Sequence, residues 1–172
     1  MVRSEYPGRV PDLPASASTE GREQMTATPR QMLEGFHQAM LHMSADEFAD
    51  LFAADAQYEF PFLTPGRPES YRGREEIRAG FHRVWDVVPV RVDEIRAVVV
   101  HETADPEVIV TEQEVAATLT TTGVGFVRPS LLVMRVRDGE IVHLRDYSDS
   151  LRGAMQLGQL PALVERLARE GS

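Results

Sequence analysis

The sequence predicts an α+β domain: a cone-shaped, curved antiparallel sheet wrapped around three N-terminal helices, with a C-terminal helix behind them. Two observations carry this. Apolar residues recur at helical spacing in the first half of the 172-residue chain and again at its end. Between those regions, strand-length stretches alternate apolar and polar residues, with turn signals at each join. A curved sheet that wraps helices and leaves one end unfilled encloses a cavity suited to a small ligand.

Taken in order, residues 1–27 hold three prolines, scattered charge and no apolar periodicity, and are expected to form a flexible arm. Residues 28–172 are expected to form one domain, the number this length suits. Thr28 can cap a first helix, Pro29 suits its first position, and Met32, Phe36, Met40 and Met43 follow on one face. Ser44 and Glu47 make a capping-box pattern for a short second helix bearing Phe48, Leu51 and Phe52. AQYEFPF (56–62) alternates Tyr58, Phe60 and Phe62 against polar neighbours, which predicts a strand with an aromatic buried face. After the loop LTPGRPES, Ile77, Phe81, Val84, Trp85 and Val88 predict a third helix over 74–88. Strands are predicted over 90–101, 108–119, 127–136 and 140–149, joined by TADPE, TTTGVGF and RDG into a meander. The closing stretch 151–170 is amphipathic and is divided by Pro161.

The formal charge of -9, with no long run of basic residues, argues against a nucleic-acid surface. No apolar stretch approaches the roughly 20 residues of a membrane span. With no cysteine there is no disulfide, no thiolate nucleophile and no Cys-based metal site, and no signal-peptide pattern opens the sequence. A cytoplasmic protein is expected.

One residue breaks its pattern. On the last strand, Val142, Leu144 and Asp146 share one parity, and Ile141, His143 and Arg145 the other. A carboxylate on the apolar wall of a cavity is in an environment suited to moving protons near neutral pH. The plainer reading closes the strand end with it, although Asp149, just before a helical pattern, suits a capping role better.

The motif RDYSD, followed by Gln156, Leu157 and Gly158 and preceded by MRVRDGEI, resembles SnoaL-like polyketide cyclases of the nuclear-transport-factor-two-like superfamily, which are α+β cones. The likeness runs without gaps over about residues 130–158 and loosely over 28–165. It implies that Asp146 is the catalytic acid/base. The histidine those cyclases also use would fall near Leu132, a departure. Limonene-epoxide hydrolases share the Arg-Asp-Tyr-x-Asp strand and a tyrosine matching Tyr58, but the other two members of their triad would fall at Gln113 and Val115. Proteins of the PhzA/PhzB type pair an acidic residue at the place of Asp146 with a helix-three histidine. His82 takes that place with a two-residue shift, and Gly80 without one. Ketosteroid isomerases would need their functional groups at Phe60 and Phe36, which disfavours that mechanism.

The expectation is therefore a cofactor-independent enzyme acting on a small hydrophobic molecule by cyclisation, isomerisation or dehydration. Epoxide opening and non-catalytic ligand binding are the alternatives. Asp146, Tyr58 and His82 are its candidate catalytic residues, the latter two polarising an oxygen. Phe36, Met40, Phe60, Phe62, Phe81, Trp85, Gln113, Val115, Leu132, Met134 and Leu144 are its candidate pocket wall. His37, His42, His101 and His143 show no metal-binding spacing and are expected to be surface or satisfied histidines, so no metal is implied. Glu112 and Glu114 are expected to face away from the cavity. A homodimer is expected through the outer face of the sheet, at Leu131, Val133 and Ile141.

Overall fold

The computed structural model describes residues 26–62 and 68–170. Its elements are α1 (Pro29–His42), α2 (Ala45–Ala49), β1 (Phe52–Glu59), β2 (Ser70–Arg72), α3 (Arg74–Trp85), β3 (Val90–Glu102), β4 (Val108–Leu119), β5 (Gly125–Arg137), β6 (Glu140–Asp146), α4 (Ser150–Gln156) and α5 (Leu160–Glu170). The expected arm lies outside the described residues except at Thr26 and Ala27, and Ala27 already packs on the core.

Local signals start the helices. The Thr28 hydroxyl accepts from the Gln31 N–H while the Gln31 side chain accepts from the Thr28 N–H, so two otherwise orphaned donors are satisfied reciprocally. Ser44 caps α2 in the same sense, but the Glu47 carboxylate turns to His42 Nδ1 at 2.7 Å instead of back to the cap. Asp149 accepts from the Arg152 N–H and caps α4. The chain breaks after α4, and Pro161 falls in the first turn of α5, where its missing N–H costs no helical bond.

The strands form one curved, unclosed sheet in the order β2-β1-β6-β5-β4-β3. The meander from β3 to β6 is antiparallel, whereas β1 lies parallel to β6, so the expected antiparallel sheet carries one parallel junction. Asp138 and Gly139 turn β5 into β6 with φ of 52° and 79°, the pair of positive values a two-residue hairpin requires. Phe52, read from the sequence as part of the second helix, opens β1 instead. That strand stops at Glu59, which leaves Phe62 beyond it and 58% exposed. The short strand β2 had no signal in the sequence.

The parity read for the last strand fails at one point. Arg135 pairs with His143 and Val136 with Ile141, so β6 spends two residues against one of β5, a bulge. Ile141 and Leu144 are therefore both fully buried, and Ile141 belongs to the core, not to an outer dimer face. Leu131 and Val133 keep outward positions and are half-buried.

Helix α1 crosses the concave face of β3, β4 and β5, and α3 lies against β1 and β2. Between them Phe48 is the hub of an aromatic core, its ring 5.0 Å from Phe36, 5.3 Å from Phe52 and 4.2 Å from Phe81. At the far end the sheet thins. The Tyr147 N–H donates to Leu131 C=O at 2.9 Å as the last bond from the β6 side, and Pro129, two residues earlier, has no N–H to offer there. The gap is covered by α4, and beneath it lies the cavity.

Candidate active site

The cavity measures about 380 Å³. The core aromatics close its inner end, and residues of β4, β5 and α4 form its outer wall. Phe36, Met40, Phe60, Phe62, Phe81, Trp85, Gln113, Val115 and Leu132 line it, as do Tyr58 and Asp146. Met134 and Leu144, expected on the wall, are wholly buried in the core beneath it.

Asp146 ends β6 opposite Leu132, half-buried at the wall. The Tyr58 hydroxyl donates to its Oδ2 at 3.0 Å, and the Ser148 hydroxyl donates to Oδ1. Both carboxylate oxygens are thus fixed by side chains, one from β1 and one just past β6. Tyr58 is fully buried. Burial first, then the Asp146 charge and the bond to it, push the phenol well above its ordinary value, so it remains an O–H donor at neutral pH. Its proton is directed at the Asp146 carboxyl group.

A second polar group enters from β4. Gln113 is 4% exposed, and its Oε1 lies 2.8 Å from His37 Nε2. An amide oxygen only accepts, so His37 donates from Nε2, and burial holds its imidazole below the usual value and hence neutral. The Gln113 amide nitrogen has no protein partner among the described residues and is left as a donor at the cavity wall.

His82 is elsewhere. Its Nδ1 faces Asp86 at 3.1 Å and its Nε2 faces Asp46 at 3.4 Å on the outer side of α3, and those carboxylates raise its pKa. Gly80, the alternative given by counting without a gap, does line the cavity, with Phe81, Arg83, Val84 and Trp85 of the same helix. The remaining histidines each meet one side chain: His42 meets Glu47, His101 meets Glu112, and His143 meets Glu59. Glu112 and Glu114 face outward and pair with His101 and Arg96 of β3. Among the described residues no three His, Asp or Glu side chains converge as a metal site would need.

The sequence reading passed over Arg128, which lines the cavity from β5. The signal was available. Arg128 has the parity of Leu132 and Met134, both expected inward, and pairs across the ladder with Val115.

Comparison with known proteins places this geometry. The SnoaL-like domain family matches residues 30–144. An uncharacterised PhzA/B-like protein of Pseudomonas aeruginosa is 31% identical over 118 residues, which span 69% of this chain and 82% of that protein. Among solved structures, a candidate isomerase from Bacillus subtilis superposes with a TM-score of 0.67 at 24% identity, over 76% of this chain and 92% of that one. A candidate polyketide cyclase from Xanthomonas campestris pv. campestris gives a TM-score of 0.60 at 21% identity, over 74% and 95%. The structural likenesses speak to the fold. The family match extends over two thirds of the chain, from α1 through α3 and the meander into β6 as far as Leu144, so the chain belongs to the SnoaL-like domain family.

Proposed function

We propose that the protein is a cytoplasmic, cofactor-independent enzyme that uses Asp146 to move a proton on a hydrophobic small molecule, in a cyclisation, isomerisation or dehydration. One observation carries the reading: a carboxylate held by two hydroxyl donors stands at the wall of a largely apolar cavity. Tyr58 and Ser148 orient it, so that the proton acceptor is in place before the substrate arrives. In the proposed step Asp146 takes a proton from carbon next to a carbonyl, the electron pair moves to the carbonyl oxygen, and the Gln113 amide donates to that oxygen as charge develops on it. Asp146 then returns the proton to the same or another carbon. Epoxide opening finds less support, because Gln113 and Val115 stand where that chemistry would need charged groups. The same reading includes a homodimer through the outward face of β4 and β5, where Val110, Leu131 and Val133 gather apolar surface.

The test is deuterium exchange into a panel of cyclic ketones, β-tetralone first, followed by NMR in deuterium oxide. Wild-type protein is expected to accelerate exchange beside the carbonyl. Asp146→Asn, folded and still binding the ketone, is expected to lose about 10²–10⁴-fold of that acceleration. Exchange by Asp146→Asn at the wild-type rate, or none by the wild type with any ketone, sinks the proposal and leaves ligand binding without catalysis.

A further inference from the structure

The cavity holds a cation that the proton-transfer reading does not use. Arg128 lies on β5 with its guanidinium on the wall, its Nε is buried without a hydrogen-bond partner, and no ion pair or hydrogen bond engages it among the described residues. Most other arginines of the sheet meet an acid: Arg91 meets Asp93, Arg96 meets Glu114, Arg135 meets Asp105 and Glu107, Arg137 meets Glu107, and Arg145 meets Glu59, while Arg72, whose side chain has no such partner among the described residues, is exposed to solvent on β2. In a chain with nine more acidic than basic residues, a guanidinium left without a carboxylate is out of keeping with its surroundings. Helix α4 packs over it, since a Cβ on Gly153 would come within 3.7 Å of Nη1.

Resting on the reading of this cavity as the substrate site, we propose that Arg128 anchors a carboxylate of the ligand, which is therefore an amphiphilic acid with an apolar ring or chain body. A guanidinium presents paired donors that match the two oxygens of a carboxylate, and in a cavity shielded from water such a pair gains strength. A buried Nε without a partner costs stability until a ligand completes it. The register sets the geometry. Leu132 pairs with Asp146, and Arg128 stands four residues earlier on β5, about 13 Å along the strand at about 3.3 Å per residue. The row between them carries Gln113 opposite Ser130. A ligand held by its carboxylate at Arg128 runs along the cavity past Gln113 and presents its far end to Asp146.

The experiment is calorimetric titration of the full chain with benzoic, β-naphthoic and larger ring-bearing acids, each against its methyl ester, which keeps the shape and removes the charge. Wild-type protein is expected to prefer at least one acid over its ester by about 10- to 100-fold, the worth of a hydrogen bond to a charged group. Arg128→Met is expected to abolish that preference while leaving ester affinity unchanged, and Arg128→Lys is expected to keep part of it. Asp146→Asn should retain the full preference, which separates the anchor from the proton-transfer reading: loss of exchange activity with the preference intact, or the reverse, tells which of the two has failed. Equal affinity for acid and ester throughout the series, an undiminished preference in folded Arg128→Met, or a preference lost instead in Arg83→Met at the cavity rim would overturn the assignment.

Discussion

Gly80→Ala is expected to destabilise the protein, although alanine is the better helix former. Gly80 sits in the middle of α3 and is buried, and glycine there costs about 1 kcal/mol relative to alanine when nothing else intervenes. What intervenes is Tyr71 of β2. A Cβ on residue 80 would fall 2.4 Å, 2.6 Å and 2.9 Å from Cζ, Cε1 and Cε2 of its ring. Carbons rest at about 3.5–4.0 Å, so ring or helix must yield by about 1 Å. The ring is stiff and hemmed in, with Phe60 at 5.8 Å and Phe81 at 6.3 Å, so the overpacking cost belongs in the upper part of the usual range of about 1–3 kcal/mol. The net expectation is a loss of about 1–2 kcal/mol, read from the urea midpoint at unchanged slope. A double-mutant cycle isolates the cause: with Tyr71→Ala already present, Gly80→Ala should stabilise by up to about 1 kcal/mol, its intrinsic helix preference. A stabilised Gly80→Ala in the otherwise wild-type chain would refute the reasoning.

Two further outcomes are expected. Burial holds the His37 imidazole below its ordinary 6.5, so between those two values the unfolded chain binds the proton that the folded one refuses; the stabilising contribution is complete above pH 6.5 and is lost as pH falls through the folded value. His82, raised by Asp86 and Asp46, works in the opposite sense, so the check is the difference in urea midpoint between wild type and His37→Gln from pH 7.5 to pH 5, and a difference independent of pH sinks the assignment. Light scattering at micromolar concentration is expected to return about twice the 19.2 kDa chain mass and Val133→Glu to return the single mass; a monomeric wild type removes the dimer.

How far the sequence could be read depended on whether each signal was local. Helix α1 has its cap, its Pro29 and its apolar spacing within one short stretch, and β4 alternates without interruption, so both were legible to the residue or nearly so. The misreadings are non-local. Strict alternation put Ile141 outside, because the bulge that turns it inward arises where β6 meets two partners at once, β5 and the parallel β1, and neither pairing is written in β6 itself. The resemblance to PhzA/PhzB-type proteins, taken with a two-residue shift, put His82 at the cavity, but the position it matches without the shift is Gly80, which lines the cavity and leaves room for Tyr71. Phe52 follows the same rule: its apolar character announced burial, and only the sheet decided that it was buried as part of a strand.

Arg128 went unread for a related reason, and it bears on what that residue does. Arg128 taken alone is one more arginine in a chain whose arginines mostly face acids at the surface, and nothing beside it in VRPS marks it as different. Its parity with Leu132 is the mark, and parity becomes chemistry only when the opposing wall is known. Once β6 is docked, inward positions of β4, β5 and β6 fall into successive rows: Leu132 with Asp146, then Gln113 with Ser130, then Val115 with Arg128. An acceptor, an amide donor and a cation thus stand in sequence along one wall, facing the aromatic side chains of α1 and α3. A wall built only to bury hydrocarbon would place apolar residues at all of these positions, because each unpaired polar group under α4 lowers stability. The order of the groups, carboxyl group in the row of Leu132 and guanidinium under α4, is what the proposed amphiphilic acid would meet, apolar across its width and polarised along its length.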